Sequence, residues 1–276
     1  MRIQITLPSI DRDHPARIVQ LSDFHLFEDT AGTLLGVNTH EALEGVLAHI
    51  RSQPERIDLV LATGDISQDG TAQSYRHAQQ LLQQLSCPVI FSPGNHDDLT
   101  VMREVLGAQM PTVADLASWR VVSLDSHVAG SDAGFLAEDQ LALLRAAAHT
   151  QQWVLVSMHH NPVPMGSAWL DPMMIANASR LFSLCEEYDN VQGLLWGHVH
   201  QEMDTVQALG MQRRQLHLLA CPATCLQFGP RSATFALDTV DPGYRVLDLY
   251  PDGSMHTSVV RVPGLEIAPD LSSRGY

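Results

Sequence analysis

The chain has 276 residues, 45% apolar and 17% charged, enough to bury the core of one large α/β domain or two small ones. Sixteen Lys and Arg against 31 Asp and Glu leave a net charge of −15. That balance excludes the basic stripe nucleic-acid binding needs, and it repels an anionic small substrate unless bound metals reverse the sign locally.

Short apolar runs that end in polar residues recur along the chain and read as buried strands. Arg17–Leu21 runs into Ser22–His25. Asn38-x-x-Glu41 forms a capping box that opens a helix to about Ser52, with Leu43, Val46, Leu47 and Ile50 as its apolar stripe. Asp58–Thr63 runs into Gly64-Asp65. Thr71–Leu85 is a second helix, with Tyr75, Ala78, Leu81, Leu82 and Leu85 at helical spacing. Pro88–Ser92 runs into Pro93–Asp98, and Arg120–Leu124 into Asp125. Leu136–Ala148 and Met173–Tyr188 are further helices. Between them Trp153–Met158 runs into His159–Pro162, and beyond them Val191–Trp196 runs into Gly197–His200. Alternating strand and helix predicts a layered α/β domain.

From His217 onward the pattern is mostly strands: Leu216–Ala220, Ser232–Leu237, Arg245–Tyr250 and His256–Val262, with Pro251-Asp252-Gly253 as a hairpin turn. These are expected to complete a second sheet. No linker separates them, so residues 1–276 read as a single domain with a strand-rich C-terminal extension at about 217–276.

No apolar run nears the ~18–20 residues of a membrane span, and the N-terminus lacks the apolar centre of a signal peptide. Cys87, Cys185, Cys221 and Cys225 include no Cys-x-x-Cys pair and suit buried, reduced thiols. A cytoplasmic protein is expected.

Nearly every apolar run ends on a residue able to bind metal: Asp23-x-His25, Gly64-Asp65, Gly94-Asn95-His96-Asp97, His159 and Gly197-His198-x-His200. Sites in layered α/β proteins form beyond the carboxyl ends of strands, where ligands distant in sequence converge. A lone His at a strand end is more often a satisfied polar group than a ligand. A second Asp-x-His, Asp125-Ser126-His127, reads as a decoy with His127 a bystander. What carries the metal reading is the joint order, strand-end placement and glycine punctuation. His and Asp with one Asn and no thiolate suit Fe, Mn, Zn or Co, and Mg less well. The candidates exceed one four-coordinate site, so two metals sharing a carboxylate is the economical reading. Two ions about 3.5–4 Å apart clamp a phosphoryl group and lower the pKa of water to about 7.

The series resembles that of the calcineurin-like metallophosphoesterases, D-x-H, G-D, G-N-H-D/E, H and G-H-x-H, with all five blocks present from Asp23 to His200. The resemblance implies a four-layer αββα sandwich, two stacked mixed β-sheets flanked by helices. It implies that Asp23, His25, Asp65 and His200 hold a first metal. Asp65, Asn95, His159 and His198 would hold a second, with Asp65 bridging. Asp65 and His96 are then the catalytic candidates, His96 facing the phosphate without binding metal and stabilising or protonating the leaving oxygen.

Departures from subfamilies narrow the resemblance. Protein phosphatases of this fold carry G-D-x-x-D-R-G, and the segment Gly64-Asp65-Ile66-Ser67-Gln68-Asp69-Gly70 lacks the Arg and displaces the second Asp. Purple acid phosphatases place a tyrosine ligand where Gln68 stands. Repair nucleases of this fold carry basic surfaces, unlike this chain. Leu34–Thr39, Ser167–Asp171, Gly197–Glu202, Ala223–Phe228 and Leu237–Thr239 before Pro242-Gly243 resemble the bacterial class III 3′,5′-cyclic nucleotide phosphodiesterases. This implies opening of 3′,5′-cyclic AMP to 5′-AMP by a metal-bridging hydroxide, with two ions, Fe and/or Mn foremost, and the 3′-oxygen leaving near His96. The substrate partner is a small cyclic nucleotide, with no nucleic acid and no membrane, and the chain is a monomer or homodimer.

Asn95, His96, His160, Asn161 and Trp169 are the candidate substrate contacts. Trp169 either stacks on adenine or packs over the mouth. Asp97 either orients a neighbour or is exposed. Two alternatives stand beside the cyclic AMP reading. One is a phosphodiesterase for another small diester, such as a 2′,3′-cyclic nucleotide or a glycerophosphodiester. The other is a non-catalytic metal-binding scaffold, which should lose ligands or the catalytic His; none is lost here.

Overall fold

The structure is a computed structural model that describes residues 4–7, 14–211 and 213–275; the N-terminal stretch read for a signal peptide lies partly outside these. The strands are β1 (Gln4–Thr6), β2 (Ala16–Leu21), β3 (Thr33–Leu34), β4 (Val37–Asn38), β5 (Leu59–Thr63), β6 (Val89–Ser92), β7 (Val113–Leu116) and β8 (Trp119–Ser123). They continue with β9 (Trp153–Ser157), β10 (Val191–Trp196), β11 (Met203–Leu209), β12 (Arg214–Ala220), β13 (Gln227–Phe228), β14 (Leu237–Asp238), β15 (Gly243–Leu249) and β16 (Met255–Arg261). The helices are α1 (Thr39–Ser52), α2 (Ala72–Gln83), α3 (Leu99–Leu106), α4 (Glu138–Ala148) and α5 (Ala178–Glu187). Side chains cap the first three: Asn38 accepts from the backbone N–H of His40 and Glu41, Thr71 from Ser74, and Asp98 from Thr100 and Val101.

Two mixed sheets dominate, in the orders β16-β15-β2-β5-β6 and β1-β7-β8-β9-β10-β12-β11. The period-2 alternation of each central strand explains how they stack. On β5, Leu59 and Leu61 face the other sheet while Val60 and Ala62 face helices α1 and α2. On β9, Leu155 enters the same inter-sheet layer, and Val154 and Val156 pack toward α4 and α5. Three apolar layers result, which is the αββα sandwich expected. A fully buried leucine of the middle layer, such as Leu195, contributes about 1.5–3 kcal/mol relative to exposure.

The tail strands are divided between the sheets. β12 lies in the seven-stranded sheet, parallel to β10, while β15 pairs antiparallel with β2 in the other. Arg245 of β15 is fully buried and crosses between them, donating to Ala220 O and Met203 O and pairing with Asp204 at 3.3 Å. The Pro251-Asp252-Gly253 turn joins β15 to β16, with Gly253 at φ 90°.

Some expectations are corrected. Met173 closes a short 3-10 turn over Asp171–Met173 and residues 174–177 are not helical, so the helix expected from Met173 starts at Ala178. The Ile175 and Ala176 N–H groups donate to Asn161 O and Gly134 O instead, spending the first-turn donors on loop contacts. The helix expected from Leu136 starts at Glu138. The strand expected over Ser232–Leu237 shrinks to β14, two residues paired with β13. The short helix α3 and the strands β7 and β11 were not anticipated.

Candidate dimetal centre

The central strands deliver the candidate residues at their carboxyl ends. Two residues past β2 comes Asp23, then His25. Beyond β5 lies Asp65, beyond β6 Asn95 and His96, beyond β9 His159, and beyond β10 His198 and His200. The loops are laced together by backbone bonds: Asp23 N–H donates to Gly64 O (3.1 Å), His25 N–H to Asp65 O (2.9 Å) and Gly197 N–H to His159 O (3.1 Å). Asp23, His25, Asp65, His198 and His200 all adopt left-handed backbone, at φ 59°, 50°, 49°, 65° and 46°. That conformation costs roughly 1–2 kcal/mol at each non-glycine residue, and strain of this kind gathers at functional sites. Crowding explains two of the glycines. A Cβ on Gly94 would fall on the Asp65 carboxylate, and one on Gly197 on Ser22 Oγ.

Three imidazoles are oriented from behind. His25 Nδ1–H donates to Gln68 Oε1 (2.7 Å), His159 Nδ1–H to Thr63 O (2.9 Å) and His200 Nδ1–H to Leu226 O (2.8 Å). These oxygens only accept, so in the neutral ring Nε2 carries the lone pair, and burial holds His25 and His200 in that form. Yet His25 Nε2 and His200 Nε2 face each other at 3.1 Å, fully buried. Lone pair against lone pair is repulsive unless a cation stands between, so these residues fit a metal ion. His200 Nε2 also lies 3.5 Å from Asp23 Oδ1, and His25 Nε2 3.8 Å from Asp65 Oδ2.

A second cluster adjoins the first. His159 Nε2 lies 3.3 Å from Asp65 Oδ2 and 3.0 Å from Asn95 Oδ1. The His198 ring stands 5.1 Å from that of His159, and its buried Nε2 has no hydrogen-bond partner among the described residues. Its backbone N–H donates to the Asp23 carboxylate. Asp65 is common to both clusters, and its other oxygen, Oδ1, accepts the His96 N–H at 3.0 Å. His96 and Asn95 are half-buried at the mouth, the His96 ring edge-on to His25 at 5.0 Å. Sets of donor atoms within 4.8 Å of one another include Asp23–His25–His200, Asp23–Asp65–His159 and His159–His160–His198.

The electrostatics suit residues that hold cations. Burial pushes the Asp23 carboxyl up to about 7. Burial would raise Asp65 too, but His159, His96 and His25 around it hold it well below the usual carboxylate range. Burial drives His25 down to about 4, and burial with neighbouring imidazoles drives His198 and His200 well below the ordinary histidine value. His159 runs the other way: burial opposes its proton, yet Asp65 lifts it to about 9. Neutral imidazole is the form a metal takes.

Other candidates fall around this centre. His160 is buried, its Nδ1 2.8 Å from Ser126 Oγ, and burial drives it down to about 3. Asn161 donates to Val163 O, leaving its Oδ1 without a partner among the described residues. Trp169 is half-buried and packs edge-on to Phe228 and Phe235. Asp125 and His127 join none of the metal-capable groups among the described residues. All four cysteines are free; Cys221 and Cys225 are buried and donate to backbone carbonyls.

Sequence reasoning left Asp97 open between orienting a neighbour and exposure, and missed two further residues. Asp97 is buried and accepts from the N–H of Ile66, Ser67 and Gly94, clamping the Asp65 loop to the Asn95 loop. Its place in the Gly94–Asp97 block was the available signal. Gln68 was noted only for the tyrosine it replaces. Phe228 stacks flat on His200, centroids 4.0 Å apart and 12° between planes, a contact no spacing announces.

Comparison with known proteins places these observations. Residues 16–202 match the calcineurin-like phosphoesterase family. The chain is 42% identical over 268 residues, 96% of each chain, to the 3′,5′-cyclic adenosine monophosphate phosphodiesterase CpdA of Pseudomonas aeruginosa. It is 37% identical to the protein of that name in Escherichia coli K12, covering 100% of both. Its fold is similar to a dimetal phosphatase from Danio rerio, with TM-score 0.59 at 15% identity, covering 91% of this chain and 100% of that one. It is also similar to purple acid phosphatase PPD1 from yellow lupin seeds, with TM-score 0.62 at 13% identity, covering 95% of this chain and 54% of that one. With its two stacked mixed sheets and its buried Asp and His at their carboxyl ends, the chain belongs to the calcineurin-like phosphoesterase family.

Proposed function

We propose that this chain hydrolyses 3′,5′-cyclic AMP to 5′-AMP at a two-metal centre. The observation that supports the substrate is the 42% identity along 96% of the chain to a protein named for that activity. What supports the metals is the 3.1 Å approach of two imidazole lone pairs. We assign Asp23, His25, Asp65 and His200 to the first ion and Asp65, Asn95, His159 and His198 to the second. Imidazole and carboxylate donors favour Fe or Mn. The free cysteines suit a reducing, cytoplasmic setting, and no helix of the described residues is long and apolar enough to cross a membrane. Because tail strands lie in both sheets, we take residues 1–276 to work as one domain.

When bound, the two ions supply Lewis-acid charge to the phosphoryl oxygens and lower the pKa of a water nucleophile. The chain does the rest. Asp65 serves both ions, and its hydrogen bond from the His96 backbone ties the metal cluster to the mouth. Asn95 completes the second set without adding negative charge before an anionic substrate. His96, half-exposed beside His25, donates to the leaving 3′-oxygen. His160 flanks the second-ion side and Trp169, packed on Phe228 behind His200, the first; with Asn161 they are the nucleotide contacts in this reading.

A substrate panel tests this. Protein reconstituted with Mn or Fe should convert 3′,5′-cyclic AMP to 5′-AMP with higher kcat/KM than 2′,3′-cyclic AMP, a glycerophosphodiester or an aryl phosphodiester. Turnover of the aryl diester with 3′,5′-cyclic AMP left intact would overturn the substrate.

A further inference from the structure

Of the three proposed metal-ligand imidazoles held through Nδ1, two rest on main-chain carbonyls, Thr63 for His159 and Leu226 for His200. His25 differs, because its partner is a side chain, the amide oxygen of Gln68. A main-chain carbonyl is present whatever residue stands there. Only the His25 contact depends on residue type.

Gln68 reaches His25 from a fixed backbone. Its N–H donates to Leu26 O at 2.8 Å, one residue beyond His25 itself. The preceding Ser67 N–H donates to Asp97 Oδ1 at 3.0 Å. The Ser67 hydroxyl meets that of Ser74 at 2.6 Å and accepts the Gly70 N–H at 2.8 Å. A partner held this firmly can select one tautomer and one ring orientation.

We propose that Gln68 is a positioning residue for the first ion: it holds His25 in the tautomer that presents Nε2, and its neutral amide sets how strongly that nitrogen binds the cation. The proposal rests on the two-metal reading above. A carboxylate at position 68 makes the imidazole a stronger donor, and an aliphatic side chain leaves the Nδ1 hydrogen without its acceptor. The amide lies between these limits and adds no negative charge where an anion must enter. It acts on the ring nitrogen remote from His200, so its effect falls on the ion and not on substrate contact.

The test strips the full chain of metal and titrates it with Mn(II), counting free and bound ion by electron paramagnetic resonance, in wild type, Gln68→Leu and Gln68→Glu. Gln68→Leu should weaken one of the two ions about ten- to hundred-fold and leave the other unchanged. Gln68→Glu should hold that ion at least as tightly as wild type. At saturating Mn(II) the Leu variant should regain most of the wild-type turnover. Equal affinity in wild type and Gln68→Leu, or equal weakening of both ions, overturns the proposal. Should the Leu variant fail to fold, Gln68→Glu decides alone, and a weaker ion there overturns it. A wild-type chain that binds no pair of Mn(II) ions overturns the two-metal reading and this proposal together. A wild type that binds two ions with Gln68→Leu unchanged overturns this proposal only.

Discussion

On β5, Leu61 packs among aliphatic side chains between the sheets, while four residues later Asp65 is 1% exposed, left-handed in its backbone and ringed by imidazoles. β10 repeats the contrast, with Leu195 in the middle layer and His198 and His200 beyond its end. The middle layer has regular backbone, and the charge buried beside it, Arg245, is met by backbone carbonyls and Asp204. The carboxyl ends hold buried carboxylates, facing lone pairs and strained dihedrals. The buried Asp23 carboxyl, the facing lone pairs and the strained dihedrals each weaken the fold, and bound cations would offset part of that.

The largest effect expected on this contrast is that of Asp65→Ala. It should remove both ions and lower activity more than about a hundred-fold, beyond the range of an outer-shell partner. The metal-free variant should also unfold earlier than metal-free wild type, because the buried His159 ring and the His96 N–H lose their carboxylate partner. Metal analysis with calorimetry checks both, and retention of two ions would break the contrast.

Next is His96→Ala, which should keep both ions and lower kcat about 10²- to 10⁴-fold. If it strips metal while activity per bound ion stays normal, His96 belongs with the ligands. Leu195→Ala probes the other region. It should cost about 2–5 kcal/mol of stability in denaturant unfolding and leave Mn(II) affinity unchanged. Chelation should act on a scale similar to that of Leu195→Ala. At a hundredfold excess over Kd each ion stabilises the fold by about 2.7 kcal/mol, so adding chelator should lower Tm by the equivalent. An unchanged Tm would mean that the site end does not need its cations.

The site was more legible in the sequence than the fold around it. Each ligand candidate follows an apolar run, and the run lengths marked the strand ends to within a residue at Leu21, Thr63, Ser92 and Trp196. Helix α1 announced itself through Asn38 and its apolar stripe. Helix α3 did not, because its eight residues are too short to show a period and its cap, Asp98, was read only as the end of the polar segment after the strand. β11 lies at a sheet edge with mostly exposed residues, so it lacks the apolar run used to find strands. Residues 232–236 have β-forming types, yet tertiary contacts draw them into turns: Ser232 takes part in bonds to Ser167 and Ala168. The oxygens of Thr63 and Leu226 that orient His159 and His200 were invisible in principle, since a carbonyl is common to every residue type.

The pairing of β2 with β15 has a consequence for how the protein is made. Arg17 and Asp248 form an ion pair across 231 positions, at 2.7 Å, beside a ladder running from Ala16–Leu249 to Gln20–Arg245. Asp23 and His25 hang from the end of β2, which pairs with β5 on one side but lacks its other neighbour until the ribosome has released β15. Long-range pairing of this kind is slow to form. A nascent chain stalled before Gly243 should therefore carry an incomplete first-ion site, readable as failure to retain two Mn(II) ions through gel filtration. In the cell, metal loading would then follow synthesis, and the newborn chain would depend on whatever shields an unfinished sheet edge in the meantime.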